Sequence, residues 1–216
     1  MITDMLQAAG YQVNSDVKGR YINGIIRRVG GLDGLQFLSA PYMVEMLRNA
    51  QVRKGEAFTY RQLQQMANPG DQLPSFQEHI RHLIASGLLV RGYHVPCATC
   101  GLDSFHELAD VNGDVVCPGC GDHNALAPDH ELAYQANPLL VLALNNGALS
   151  AFMALLALAG DCEDYSWEAG LRLTKDGQTS EVDLVVNCDG QLTIAECKDH
   201  FEDDAIEAIT AQLAQT

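Results

Sequence analysis

Four cysteines form two closely spaced pairs in the middle of the chain. Each pair is a CxxCG segment, Cys97-Ala-Thr-Cys100-Gly101 and Cys117-Pro-Gly-Cys120-Gly121. Two such turns let four thiolates converge tetrahedrally on one ion, which is the usual arrangement of structural zinc. A pair of disulfides is the alternative, but an odd total of 7 cysteines in a chain expected to be cytoplasmic favours zinc. Because protein ligands fill all four positions, we expect this zinc to be structural rather than catalytic.

Three charged side chains are predicted to meet near the C-terminal end of the chain. Asp189-Gly190 separates two alternating β-branched runs, TSEVDLVV and QLTIAECK, which predicts a β-hairpin. Asp183 and Glu196 then lie at the same end of the two strands, and Lys198 follows on the same face as Glu196. Two carboxylates suit Mg²⁺, for which Mn²⁺ could substitute. The residues alone also fit an exposed charge pair on a strand end, with Asp183 a solvated acid.

This hairpin resembles a known superfamily of nucleases. Glu181-Val182-Asp183 followed by Glu196-Cys197-Lys198 is similar to the PD-(D/E)xK, or restriction-endonuclease-like, superfamily, and most of all to its Holliday-junction-resolvase-like branch. The resemblance implies that Asp183, Glu196 and the backbone carbonyl of Cys197 bind Mg²⁺, and that Lys198 orients or helps to deprotonate the attacking water. It also implies supporting roles for Glu181 and for Gln212 on a following helix. The family usually continues with another strand, so we expect a fragment, a minimal sheet or completion by a partner chain.

The pattern divides the chain into four segments. Residues 1–38 show no sustained period, so their fold is uncertain. Residues 39–95 predict three helices and a strand, with Ser39, Thr59 and Ser75 near the helix starts, and this order resembles a winged helix-turn-helix domain. Residues 96–125 resemble a zinc ribbon, and residues 126–216 form the nuclease-like core. The predicted fold class is therefore α/β, with a mixed central sheet in the core.

Charge is distributed unevenly along the chain. Residues 1–96 hold 10 Lys and Arg against 7 Asp and Glu, whereas residues 97–216 hold 3 against 21. Any contact with phosphate is therefore expected in the first half. The winged-helix resemblance implies that the third helix enters a DNA groove, and the candidate contacts are Gln77, Arg81, His82 and Arg91. Glu78 on the same helix opposes this interpretation, and winged helices also serve as dimerisation or docking modules.

One apolar segment is long enough to be mistaken for a membrane span. Residues 138–160 reach the required length, but Asn145, Asn146 and Gly147 interrupt them and no Lys or Arg flanks them closely. We predict a buried helix, a cytoplasmic protein without a signal peptide, and no membrane partner. The other cysteines, Cys162, Cys188 and Cys197, have no paired spacing and are expected to be small buried apolar residues.

These observations favour a Mg²⁺-dependent DNA endonuclease that acts in defence against foreign DNA, such as phage DNA, or in DNA repair. The chain would work as a homodimer or within a larger complex. A non-catalytic DNA-binding or docking protein with an inactive nuclease-like core is the alternative from another class. An RNA-directed nuclease is the third hypothesis.

Overall fold

The computed structural model describes residues 2–127 and 129–198, which belong to two compact units. Of the described residues, the first unit comprises 2–40 and 142–198, and the second comprises 41–127 and 129–141. Both contain helices and β-sheet, which confirms the α/β class. Every strand pair among the described residues is antiparallel, so the prediction of a mixed central sheet is wrong for this part of the chain.

Helices and strands alternate irregularly along the described residues. The α-helices are α1 (Ile2–Ala8), α2 (Val17–Val29), α3 (Pro41–Arg48), α4 (Ala50–Arg53), α5 (Tyr60–Ala67), α6 (Leu73–Ala85), α7 (Pro138–Asn145) and α8 (Ala148–Ala159). The strands are β1 (Gln12–Ser15), β2 (Ala57–Thr59), β3 (Leu89–Pro96), β4 (Asp103–Glu107), β5 (Asp114–Val116), β6 (His123–Ala125), β7 (Ala133–Ala136), β8 (Tyr165–Lys175), β9 (Gln178–Cys188) and β10 (Gln191–Ala195). Short 3₁₀ helices span Asp33–Ser39, Gly70–Gln72 and Leu108–Asp110.

The first unit is built on a four-stranded antiparallel sheet in the order β1-β8-β9-β10. Ile2 and Leu6 of α1 join a buried cluster with side chains of β8 and β9, which are Leu171, Leu173, Val182 and Val185. Helix α8 packs against β9 and buries Leu149, Phe152 and Leu155. Residues 2–38, whose fold the sequence left uncertain, thus supply an edge strand and two helices to this unit.

The first turn of α2 lies directly on β8. The amide of Asp16 donates a hydrogen bond of 2.7 Å to the carbonyl of Gly170. A Cβ atom on Gly19 would lie 2.0 Å from the carbonyl oxygen of Ala169, and one on Gly170 would lie 2.3 Å from the amide nitrogen of Gly19. Gly170 also has a φ of +59°, a conformation that residues with a Cβ rarely adopt. Two glycines therefore permit the close approach of helix and strand.

We expect Gly19→Ala to lower the free energy of unfolding by about 1–3 kcal/mol, because the added methyl group pushes α2 away from β8. Alanine normally stabilises a helix relative to glycine by about 0.5–1 kcal/mol, so the expected sign is the reverse of the helix-propensity effect. Urea denaturation of the variant beside Arg20→Ala, an exposed control on the same turn, measures the difference. A stability gain in Gly19→Ala would contradict the close approach.

The second unit contains a four-stranded antiparallel sheet in the order β2-β7-β3-β4. Strand β2 leads into α5, where Thr59 and Gln62 form a reciprocal capping box, which confirms the predicted cap at Thr59. Strands β3 and β7 are neighbours in the sheet, with Leu89 opposite Ala136, although about 36 residues separate them in the chain. The segment with all four paired cysteines therefore connects two neighbouring strands of this sheet, and it contributes β4 to the same sheet as the edge strand beside β3.

Two further expectations can be compared with the structure. Within residues 2–127 and 129–198, no single helix is long and apolar enough to cross a bilayer, and α7 and α8 meet that criterion only together, as a bent pair. Cys162 and Cys188 are joined by a disulfide with Cα atoms 5.5 Å apart, so the expectation that they are simple apolar residues is wrong. The amide of Asp164 donates to the carboxylate of Asp189, which holds the loop after α8 beside the end of β9 and so brings the two cysteines together.

Candidate functional site

The paired cysteines converge as their spacing predicts. The sulfur atoms of Cys97, Cys100, Cys117 and Cys120 all lie within 4.8 Å of one another. Cys97 and Cys120 have sulfurs 3.6 Å apart, as do Cys100 and Cys117. A tetrahedral zinc ion with bonds of about 2.3 Å to sulfur requires sulfurs about 3.8 Å apart. The cluster could therefore hold one structural Zn²⁺.

Backbone hydrogen bonds shape the two cysteine turns in the same way. The amides of Gly101 and Gly121 donate to the carbonyls of Cys97 and Cys117 at 2.9 and 3.0 Å. Amide groups also point at the first sulfur of each turn. The hydrogen bond from Cys100 lowers the pKa of the Cys97 thiol to about 6, and the amide of Cys120 lowers the pKa of Cys117. Both first cysteines are thus biased towards the thiolate that binds metal.

The histidines nearest to this cluster have other partners. His106 lies 2.8 Å from the hydroxyl of Ser104, and His123 lies 2.7 Å from the carboxylate of Asp114. Neither histidine belongs to the four-sulfur group. The four cysteines are therefore a sufficient ligand set by themselves.

The C-terminal hairpin forms at the predicted turn. β9 and β10 are antiparallel with Cys188 opposite Gln191, and Asp189 and Gly190 between them have φ values of +50° and +88°. Positive φ at both central residues is the mark of a type I′ turn. The last pair in the register is Leu184 with Ala195, which leads Glu196 to the level of Asp183. Asp183 lies in the middle of β9 rather than near its start, because β9 extends back to Gln178 to pair with β8.

Both carboxylate oxygens of Asp183 are engaged. One oxygen, Oδ2, accepts a hydrogen bond of 2.7 Å from the backbone amide of Cys197, just beyond β10. The other, Oδ1, lies 2.6 Å from the Nζ atom of Lys18 on the first turn of α2. The side chain of Asp183 is 14% exposed and that of Lys18 is 22% exposed, so the pair is largely shielded from water. Such charge-assisted contacts contribute about 1.5–3 kcal/mol each.

Lys18 is the site residue that sequence analysis missed. A cation in the first turn of a helix is unfavourable because that end of the helix dipole is already positive. This placement was the one local signal that Lys18 has an acidic partner. The partner itself could not be inferred, since 165 residues separate Lys18 from Asp183 in the chain.

Glu196 and Lys198 form a second ion pair close to Asp183. The Nζ atom of Lys198 lies 2.5 Å from Oε1 of Glu196, whose side chain is only 10% exposed. The hydrogen bond to Glu196 raises the pKa of Lys198, and the charges of Glu196 and Asp183 add to this effect. Lys198 is therefore held as a cation near both carboxylates.

Cys197 lies between these charges with its thiol buried. Burial raises the pKa of the Cys197 thiol to about 12, and the nearby charge of Asp183 adds to the increase. Lys18, Glu196 and Lys198 also lie close enough to affect that thiol. A neutral buried thiol is a poor nucleophile, so the chemistry available here belongs to the carboxylates and the lysines.

Glu181 and Gln212 are the two residues predicted to support the site. Glu181 lies opposite Arg172 on β8, and its carboxylate is 2.9 Å from the guanidinium. Its side chain is 66% exposed, so its role in the site stays a prediction. Gln212 lies outside the described residues.

The donor set of the hairpin fits a hard divalent cation. Asp183 and Glu196 offer carboxylate oxygens, and Mg²⁺ is commonly held by one or two carboxylates with the rest of its shell supplied by water and substrate phosphate. In the described ranges, neither acid belongs to a group of three or more close protein ligands. The other such group joins Cys162, Cys188 and Asp189, but its two sulfurs are already bonded to each other.

Three of the four predicted nucleic-acid contacts gather at one cavity of the second unit. Gln77 and Arg81 of α6 and Arg91 of β3 line a cavity of about 280 Å³. The remaining lining residues are Tyr60, Ile80, Ile84 and Tyr134. His82 is half-buried and does not line it.

Arginine and tyrosine lie side by side in this cavity. Arg91 and Tyr134 are directly opposite each other on β3 and β7. The rings of Tyr60 and Tyr134 are 6.4 Å apart in an edge-on arrangement. Burial raises the pKa of the Tyr60 phenol, while Gln77 and Arg81 lie close enough to act in the opposite direction. Within the described part of the chain, neither Arg81 nor Arg91 has an ion-pair partner.

Comparisons with protein families, with curated proteins and with solved structures found no match to this chain.

Proposed function

We propose that this protein is a divalent-metal-dependent nuclease of the PD-(D/E)xK type that hydrolyses DNA phosphodiester bonds. The observation that carries the proposal is the contact between Asp183 and the chain just after Glu196. The Asp183 carboxylate accepts from the Cys197 amide at 2.7 Å, and Lys198 pairs with Glu196 at 2.5 Å. Two acids and a lysine on adjacent antiparallel strands are the groups that this chemistry needs.

Each site residue has a distinct role in the proposed reaction. A divalent cation, when bound, supplies charge neutralisation at the phosphate and lowers the pKa of a coordinated water. Asp183 and Glu196 would hold it, and a contribution from the Cys197 carbonyl stays a prediction. Lys198 would donate hydrogen bonds to the attacking water or to a phosphate oxygen. This donation would stabilise the negative charge that develops in the transition state.

The raised pKa of Lys198 supports electrostatic stabilisation over deprotonation of the attacking water as its role. A lysine whose pKa is raised by a hydrogen bond to Glu196 keeps its proton throughout the physiological range. A protonated amine cannot accept a proton from water, so Lys198 in this arrangement acts as an electrostatic stabiliser rather than as a general base.

The cavity of the second unit supports a role in nucleic-acid binding. Arg81 and Arg91 present two exposed guanidinium groups on the surface of the second unit. Guanidinium groups bind phosphate oxygens well, and the tyrosines beside them offer surfaces against which bases can pack. We propose that a winged helix with this face binds the DNA substrate, although Glu78 on the same helix carries the opposite charge.

Reversing either arginine is expected to weaken binding to DNA. Arg81→Glu or Arg91→Glu should lower the affinity and reduce the slope of log K against log salt by about one unit for each phosphate that is no longer bound. Fluorescence anisotropy with a labelled oligonucleotide at several salt concentrations measures both quantities. Lys54→Glu, an exposed reversal in the same unit outside the cavity, is the control. Unchanged binding in both arginine variants would show that this face does not bind DNA.

A nuclease assay tests the proposal as a whole. Plasmid, linear, single-stranded and branched DNA, together with an RNA of matched sequence, should be incubated with the protein in Mg²⁺, in Mn²⁺ and in EDTA. We expect metal-dependent cleavage of at least one DNA substrate. Cleavage of RNA alone would favour the RNA-directed alternative, and no cleavage of any substrate would contradict the proposal.

A non-catalytic scaffold is the second candidate, and one observation favours it. Each acid of the site already has a lysine partner, Lys18 for Asp183 and Lys198 for Glu196. Charges that are neutralised within the protein can stabilise a fold without binding metal. A scaffold of this kind binds DNA through the second unit but shows no metal affinity that depends on Asp183.

A further inference from the structure

Lys18 reaches Asp183 through an unusually close contact between α2 and β8. The first turn of α2 reaches Asp183 only because Gly19 and Gly170 let the helix lie directly on β8. The side chain then extends to Asp183 and ends 2.6 Å from Oδ1, with 22% of its surface exposed. A lysine that merely solvated the surface would not require this close approach.

We propose that Lys18 is a built-in counter-cation that competes with a divalent metal ion for Asp183. This inference rests on the proposed metal site of the nuclease. It differs from the roles of the hairpin residues, because Lys18 belongs to a distant part of the chain and contacts the acid rather than the substrate.

Electrostatics explains why the two cations compete. Oδ2 of Asp183 is already held by the Cys197 amide, so Oδ1 is the oxygen most available to a metal ion, and Lys18 occupies it. A divalent ion and an ammonium group on one carboxylate oxygen repel each other strongly in a site shielded from water. Lys18 must therefore leave Oδ1 when a metal ion binds there.

Lys18 also affects the stability of the metal-free protein. Without metal, Lys18 neutralises Asp183 and keeps the partly buried carboxylate compatible with a folded sheet. With metal, the released ammonium group lies near the site, where the negative charge of a phosphate can attract it. Lys18 thus lowers metal affinity while it stabilises the metal-free protein.

The test is metal binding rather than catalysis. Isothermal titration of the full-length protein with Mn²⁺ and Mg²⁺ should show that Lys18→Met binds about 10- to 100-fold more tightly than the parent, the factor that corresponds to one charge-assisted contact. Lys18→Arg keeps the cation and should bind like the parent. Lys175→Met removes a lysine of the same unit that lies over the ring of Tyr11, away from Asp183, and should also bind like the parent.

Thermal unfolding gives a second readout that needs no titration. The metal-free Lys18→Met protein should melt at a lower temperature than the parent, and added Mn²⁺ should raise its melting temperature more than that of the parent. If Lys18→Met does not fold, Lys18→Gln keeps a hydrogen-bond donor at Asp183 without the charge and should show the same tighter binding.

The outcomes separate this inference from the proposed nuclease. Equal metal affinity in the parent, Lys18→Met and Lys18→Gln, with loss of binding in Asp183→Asn, would overturn the competition and leave the metal site intact. No metal binding in any of these proteins would overturn both. Tighter binding in the Lys18 variants without cleavage of any substrate would support the competition and contradict only the nuclease.

Discussion

Asp183→Asn is expected to reduce cleavage by about 10³-fold or more and to abolish metal binding, because the metal ion supplies several kcal/mol of transition-state stabilisation. Glu196→Gln should behave in the same way. Lys198→Ala removes the cation paired with Glu196, so it should bind metal at least as tightly as the parent and lose about 10² to 10³ in rate, which is the usual effect of one electrostatic group in the transition state. Single-turnover cleavage and isothermal titration separate the two classes of variant.

The ion pair with Lys18 requires a stability control for Asp183→Asn. Loss of the acid leaves the ammonium group of Lys18 partly buried without its partner, which should lower the free energy of unfolding by about 1–3 kcal/mol. Adding Lys18→Met removes the orphaned charge, so the double variant should recover stability but not cleavage. Asp176→Asn makes the same chemical change in the exposed turn between β8 and β9 and should leave cleavage intact. Cleavage at the parental rate in Asp183→Asn would eliminate this site.

Local patterns predicted the parts of the candidate site that lie within short stretches of sequence. The type I′ hairpin depends on Asp189 and Gly190 alone, and the register follows from the turn, so the level of Glu196 relative to Asp183 could be inferred. The four-sulfur cluster is similar, because two CxxC turns suffice to define it. In both cases the partners are brought together by the intervening chain itself.

Contacts between distant segments could not be predicted in this way. β1 pairs with β8 through four residues, Gln12–Ser15, of which only Val13 is apolar, so no alternation marks it as a strand. Its pairing depends on β8, more than 150 residues later in the chain. The Lys18–Asp183 pair and the Cys162–Cys188 disulfide could not be predicted for the same reason, because each depends on where an entire helix or loop packs.

The elements of the second unit were predicted only in part. The periodicity of residues 39–95 indicated helices and a final strand, and the predicted cap at Thr59 marked the start of one helix, which the structure confirms. The short strands β2 and β7 were not visible, because each has only three or four residues and takes its conformation from its neighbours. The pairing of β7 with β2 and β3 places β7 inside this sheet, which the sequence pattern alone did not indicate.

Loss of one zinc ligand is expected to have the largest effect on the folding of the second unit, because structural zinc contributes about 10–16 kcal/mol of binding free energy in small zinc domains. Purified protein should contain about one zinc per chain by plasma mass spectrometry. Cys117→Ser should lose that zinc and lower the protection of residues 97–125 against hydrogen exchange, most of all outside β4, which also pairs with β3. Cys197→Ala, which removes a buried thiol outside the cluster, should retain the zinc.

Acidification should release the metal as the thiolates gain protons. A metal-free parent protein with full protection of residues 97–125 would show that the four cysteines have another role.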